Sequence, residues 1–181
     1  MLTAALAAVS ACVPDRIPEL PDGPFAPGID PSKEAVDGIE VANRLLAAAQ
    51  YELAIDAYTR AALAQGMTPE IVTGLGTANL GLGRLGQAED LLRRAVTEEP
   101  EWPEAWNNLG VVLMERGKTA EAEQIFRKAY ALDNGESHSI RDNLRLALAK
   151  SENPANTIEQ NAEYKLVQRG GGDYLLRKSQ E

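Results

Sequence analysis

The feature that most constrains this chain is a repeat. Ala54, Ala88 and Ala122 are spaced by 34 residues, and so are Ala61, Ala95 and Ala129. Tyr58, Leu92 and Phe126 share the same spacing, and upstream the frame gives Ala42, Gly76 and Gly110, preceded by Val41, Leu75 and Leu109. A fixed period in the range of 20–50 residues marks a stacked array in which no copy buries its apolar face alone. The recurring small residues let two helix backbones approach closely, and the recurring large ones fill the gaps between neighbouring helices. The spacing predicts helix pairs at 33–48 and 51–65, 69–82 and 85–98, and 103–116 and 119–132. Thr68-Pro69 reads as an N-cap followed by proline at the first helical position, and Pro103 opens the third copy in the same way. Gly83 and Gly117 fall between paired helices, where positive φ is often required.

The third copy, with Trp106, Leu109, Gly110, Leu113, Ala122, Phe126 and Ala129, resembles the tetratricopeptide repeat most clearly. The second carries Leu75, Gly76, Ala88, Leu92, Ala95 and Pro100. The first departs with Gly38 and Gly66, and the third places Asn134 where the pattern has proline. The resemblance spans about 100 residues. It implies an all-α fold: three helix-turn-helix repeats over 33–136 plus a capping helix at 137–152, wound into a short right-handed superhelix. Ser137 is the expected N-cap of that last helix, with Ile140, Leu144 and Ala147 on its apolar side.

In this family the first helix of each pair lines a concave peptide-binding groove. That phase selects Asn43, Thr73, Thr77, Leu80, Asn107, Val111 and Met114, with Val36, Ile39 and Leu46 beside them and Glu70 and Glu104 at one rim. Such a mixture suits an extended or helical segment of a protein partner, held by apolar anchors and amide hydrogen bonds. It offers no Lys or Arg to grip an acidic peptide tail.

Composition narrows the function classes. The net charge of −9, with 27 acidic residues against 18 basic, gives no attraction for a phosphate backbone and argues against nucleic acid. One His (His138) and one Cys (Cys12) leave little for a metal site, a cofactor or a catalytic set. We therefore expect no cofactor and a non-enzymatic role.

The ends carry their own signals. Residues 1–12 are an uncharged apolar run closing in Val9-Ser10-Ala11-Cys12. The run is too short to span a bilayer and has the character of a signal-peptide core. Its end resembles the lipobox of bacterial lipoproteins, which implies lipidation at Cys12 and a membrane anchor. The absence of Asp after that Cys leans toward the periplasmic face of the outer membrane. Six of the ten prolines fall in 13–32, which reads as a semi-extended tether, or in part as an arm docked through Ile17, Leu20 and Phe25. The tail, 153–181, has two readings. One is a helix with Ile158, Ala162 and Leu166 on a stripe; the favoured one is a β-hairpin over 164–177 turning through Gly170-Gly171-Gly172.

A lipoprotein with three such repeats and an Asn-Leu-rich helix at Ile140–Leu148 resembles the TadD-type assembly lipoproteins of tight-adherence pilus systems. This implies a pilotin-like role, with a secretin or another pilus component as partner. A general periplasmic scaffold for outer-membrane or cell-wall assembly, and an accessory subunit of a periplasmic enzyme, stand as alternatives.

Overall fold

The computed structural model describes residues 37–152, 164–169 and 173–178. Cys12, the proline-rich segment 13–32, Val36, the expected helix start at 33 and the triple glycine lie outside the described residues. Among the described residues seven helices follow one another: α1 (Gly38–Ala47), α2 (Tyr51–Gln65), α3 (Pro69–Gly81), α4 (Leu85–Glu98), α5 (Pro103–Glu115), α6 (Thr119–Leu132) and α7 (His138–Glu152). Each packs on its sequence neighbours, as the short connections require. Two strands close the chain, β1 (Tyr164–Arg169) and β2 (Asp173–Lys178). They form an antiparallel hairpin with Leu166 opposite Leu176 and Gln168 opposite Tyr174. The described part of the tail is therefore the hairpin, and Leu166 belongs to a strand and not to a helical stripe; Ile158 and Ala162 lie outside the described residues.

The repeat frame coincides with the core. Ala54, Ala88 and Ala122 have no exposed surface, Ala61, Ala95 and Ala129 almost none, and Tyr58, Leu92 and Phe126 are buried between helices. The small residues are small because large ones sit on them. A Cβ on Gly76 would lie 2.8 Å from Leu92, and one on Gly110 would lie 2.5 Å from the ring of Phe126. The same device recurs between copies, where the Tyr58 ring covers Gly74 and the Tyr51 ring covers Gly81.

The helix ends follow their local chemistry. The Asp37 carboxylate accepts from Ile39 N at 2.9 Å, Thr68 Oγ1 from Ile71 N at 3.3 Å, and Ser137 Oγ from Ile140 N at 3.3 Å. All three intra-repeat turns end alike. Gln50, Arg84 and Lys118 each donate a backbone N–H to the carbonyl five residues back, with the residue before each in the left-handed region. That residue is Gly83 (φ 70°) and Gly117 (φ 74°) in two turns, but Ala49 (φ 55°) in the first. An L side chain is disfavoured there. Ala49→Gly is expected to stabilise the fold by about 0.5–1 kcal/mol in urea denaturation.

One buried charge ties copies two and three together. Glu89, on α4, is 5% exposed and receives Lys118 Nζ at 2.8 Å, Arg116 Nη1 at 2.9 Å and Arg93 Nη2 at 2.8 Å. Burial alone would raise its pKa, but hydrogen bonds from Lys118 and Arg93 outweigh it and hold the carboxyl below the usual range. A lowered folded-state pKa gives stability that is complete above the unfolded value and is lost as pH falls through the folded one. Glu89→Gln should therefore cost about 1–3 kcal/mol at neutral pH. The gap from wild type should narrow below about pH 4, a difference that urea midpoints measured across pH would show.

Candidate functional site

The first helices of the pairs, α1, α3 and α5, contribute one face, and its N-terminal half is open. A cavity of about 380 Å³ is lined there by Asn43, Leu46, Tyr58, Thr73, Thr77 and Trp102 among others, with Glu40, Glu70 and Glu104 as its carboxylates. Arg44 also lines it, paired with Glu40 one turn away. The sequence phase selected no cation for this face, because Arg44 sits one position past Asn43 and reaches back along the helix. Tyr58 donates its hydroxyl to Asn43 Oδ1, and Asn43 Nδ2 donates to Glu70 Oε1 at 3.1 Å. Burial first, and the nearby Glu70 carboxylate second, push the Tyr58 phenol well above its ordinary range, so it remains a donor at any physiological pH. Thr73 is 6% exposed, lines the cavity, and its Oγ1 has no hydrogen-bond partner. A buried hydroxyl without a partner among the described residues is costly, and it meets a ligand amide only if the Thr73 side chain turns toward the cavity.

The other half of the face is filled by the chain itself. Strand β2 lies against α5 and α7. Asn143 Nδ2 donates to the Tyr174 carbonyl at 2.7 Å and Asn107 Nδ2 to the same oxygen at 3.2 Å. Tyr174 N donates to Asn108 Oδ1 at 3.3 Å, and Leu176 N to Asn143 Oδ1 at 3.1 Å. The amides also hold one another: Asn143 Nδ2 donates to Asn107 Oδ1 at 2.9 Å, and Asn108 Nδ2 to Thr77 Oγ1 at 3.1 Å. Thr77 Oγ1 in turn donates to the Thr73 carbonyl. A polar line thus runs from α3 through α5 to α7, with β2 docked on its far end. Tyr174 is 1% exposed and Leu176 is 7% exposed, both in one apolar cluster with Leu80, Val111 and Met114.

The seven groove positions chosen from sequence therefore divide. Asn43, Thr73 and Thr77 line the open cavity. Asn107 is buried against β2, and Leu80, Val111 and Met114 are core residues in the cluster that receives the tail. Asn108, Asn143 and Tyr174 escaped sequence reasoning. Asn143 had a signal, since it lies between Ile140 and Ala147 on the buried side of α7 while Leu144 is only partly buried. Among the described residues, no group of three or more His, Cys, Asp or Glu side chains could hold a metal ion. His138 is exposed at the start of α7.

A family model described as tetratricopeptide repeat matches residues 41–103 and 73–137, together more than half of the sequence. The chain belongs to the tetratricopeptide repeat family. Among solved structures, this repeat protein is similar to the Sgt2 TPR domain of Aspergillus fumigatus, with 22% identity and a TM-score of 0.61 over 66% of this chain and 80% of that one. It is similar to the first TPR domain of human RPAP3, at 25% identity and a TM-score of 0.57, covering 64% of this chain and 93% of that one. It also resembles the Yersinia enterocolitica type III secretion chaperone SycD, solved with a peptide of the translocator YopD. There the identity is 17% and the TM-score 0.55, over 63% of this chain and 92% of that one. No curated protein sequence matches significantly. The tetratricopeptide repeats account for α1 to α6 in three pairs, while the β-hairpin lies beyond the matched residues.

Proposed function

We propose that this protein is a non-catalytic scaffold that holds an extended segment of another protein in its concave face, and that Cys12 carries a lipid anchoring it at the periplasmic face of the outer membrane. The observation that carries the binding reading is the open cavity on the first helices of the pairs, with apolar and polar side chains together in its wall. Leu46, Tyr58 and Trp102 supply apolar walls for a ligand side chain, and Asn43 and Glu70 supply a fixed amide–carboxylate pair for its main chain. With three carboxylates against one Arg, the lining disfavours an acidic peptide and suits a neutral or basic one.

The lipobox-like ending at Cys12 and the resemblance to TadD-type lipoproteins support the location and the partner class. In this reading the lipid fixes the chain at the envelope, the repeats grip a secretin or another pilus component, and the role is pilotin-like. Two experiments test it. Cys12→Ser should release the protein from membranes in fractionation, and unchanged membrane association would remove the anchor. Affinity purification from envelope membranes should recover a secretin or pilus subunit, and recovery of neither would remove the pilotin role.

A further inference from the structure

We propose that β2 is a stand-in for a partner. The half of the groove formed by α5 and α7 takes an extended segment with an aromatic residue and a leucine two positions later, and such a segment enters by replacing the tail strand. The proposal rests on the reading of the concave face as a polypeptide-binding surface and extends it to the half that the chain itself fills.

Three observations carry it. First, among the described residues the hydrogen bonds that Asn107, Asn108 and Asn143 make to β2 go to main-chain atoms, the N–H and carbonyl of Tyr174 and the N–H of Leu176. Grip on the main chain is indifferent to sequence, so any extended segment presents the same atoms. Selectivity then falls to the buried side chains: Tyr174 and Leu176, which alternation places together in the apolar cluster, and Leu175, 7% exposed on the opposite side of the strand. Second, the hairpin rests on the helices through β2, while β1 pairs with β2. A lone two-stranded hairpin is marginal in water, so the tail has little structure of its own to lose on leaving. Third, the Tyr174 hydroxyl is held weakly. Burial first, and the Tyr51 hydroxyl beside it second, push its phenol up, yet among the described residues no group meets full hydrogen-bond geometry with it. A phenylalanine in that slot would give up little.

Being tethered, the tail acts at an effective concentration on the order of mM. A free peptide of the same sequence therefore competes poorly with the intact tail and well with a weakened one. The probe is a fluorescein-labelled peptide of residues 173–178, Asp-Tyr-Leu-Leu-Arg-Lys, and its analogue with Phe for Tyr. Both are titrated into the full chain and into full-length Tyr174→Ala/Leu176→Ala. The double variant should bind the peptide at least about tenfold more tightly than wild type, and the Phe analogue should bind at least as well as the Tyr peptide. In wild type, hydrogen exchange of the Tyr174 and Leu176 amides should proceed through an opening that leaves α5 and α6 protected.

Exchange of those amides only together with α5 and α6 would overturn the proposal, and this holds even if the double variant fails to fold. So would a folded double variant that binds neither peptide, or a wild-type dimer in which a second copy's tail fills the groove. Failure of the open cavity to contact a partner would leave these measurements unchanged, so the two readings fail separately.

Discussion

Phe126→Ala is expected to cost about 3–5 kcal/mol, the range for deleting a buried aromatic side chain. The ring is fully buried between α5 and α6 and lies directly over Gly110, which has no side chain to fill the space. A domain of this size holds on the order of 5–15 kcal/mol in total, and one substitution would remove a large share. In a stacked array the loss is also passed on, because each helix pair is stabilised by its neighbours. Packed on α6 and α5, α7 and β2 should loosen with them. Urea denaturation followed by far-UV circular dichroism should show a sharply lowered midpoint, while Leu63→Ala, at a site 86% exposed on α2, should shift it by less than about 0.5 kcal/mol. A Phe126→Ala midpoint within that small range would mean that the 34-residue frame does not mark the core.

Asn143→Ala is expected to have the next largest effect, and a local one. It removes two hydrogen bonds to β2 and one to Asn107. Tyr174 O keeps its bond from Asn107, but Leu176 N and Asn107 Oδ1 are left without those partners. Each buried polar group so stranded costs about 1–3 kcal/mol, less where water can enter. A total of about 2–4 kcal/mol would fall on the contact between tail and α7, and the helix pairs would be spared. Native-state hydrogen exchange should show protection of the Tyr174 and Leu176 amides falling by roughly 30-fold or more, with α3 to α6 unchanged. Equal loss throughout would show that tail and helices form a single cooperative unit.

The helices were legible because the information about them is local and repeated. Caps at Thr68 and Ser137, glycines at 83 and 117, and small–large pairs such as Gly110 and Phe126 each read the same way in sequence and in the fold. The hairpin was legible as an element from its alternating apolar residues and its glycines. Where it goes was not. Its docking depends on Asn107 meeting Tyr174 across 67 positions and Asn143 meeting it across 31, and neither separation belongs to the repeat. The groove positions suffered for the same reason. The family phase selects Asn43, Thr73 and Asn107 alike, but only a long-range contact decides that the first two face an open cavity and the third faces β2. Asn143 shows how such a site can be sought: a polar residue at a position whose helical neighbours Ile140 and Ala147 are both buried requires a buried partner.

The central claim is that the open end of the concave face holds a polypeptide. The direct measurement places a photo-crosslinking amino acid at Asn43 in cells making the full chain, with Leu63, outside the cavity, as control. The account predicts a discrete adduct with one envelope protein from Asn43, its loss when Thr73→Trp fills the cavity, and none from Leu63. Adducts of equal yield from both positions, or an Asn43 adduct with the chain's own segment 13–35 alone, would contradict it.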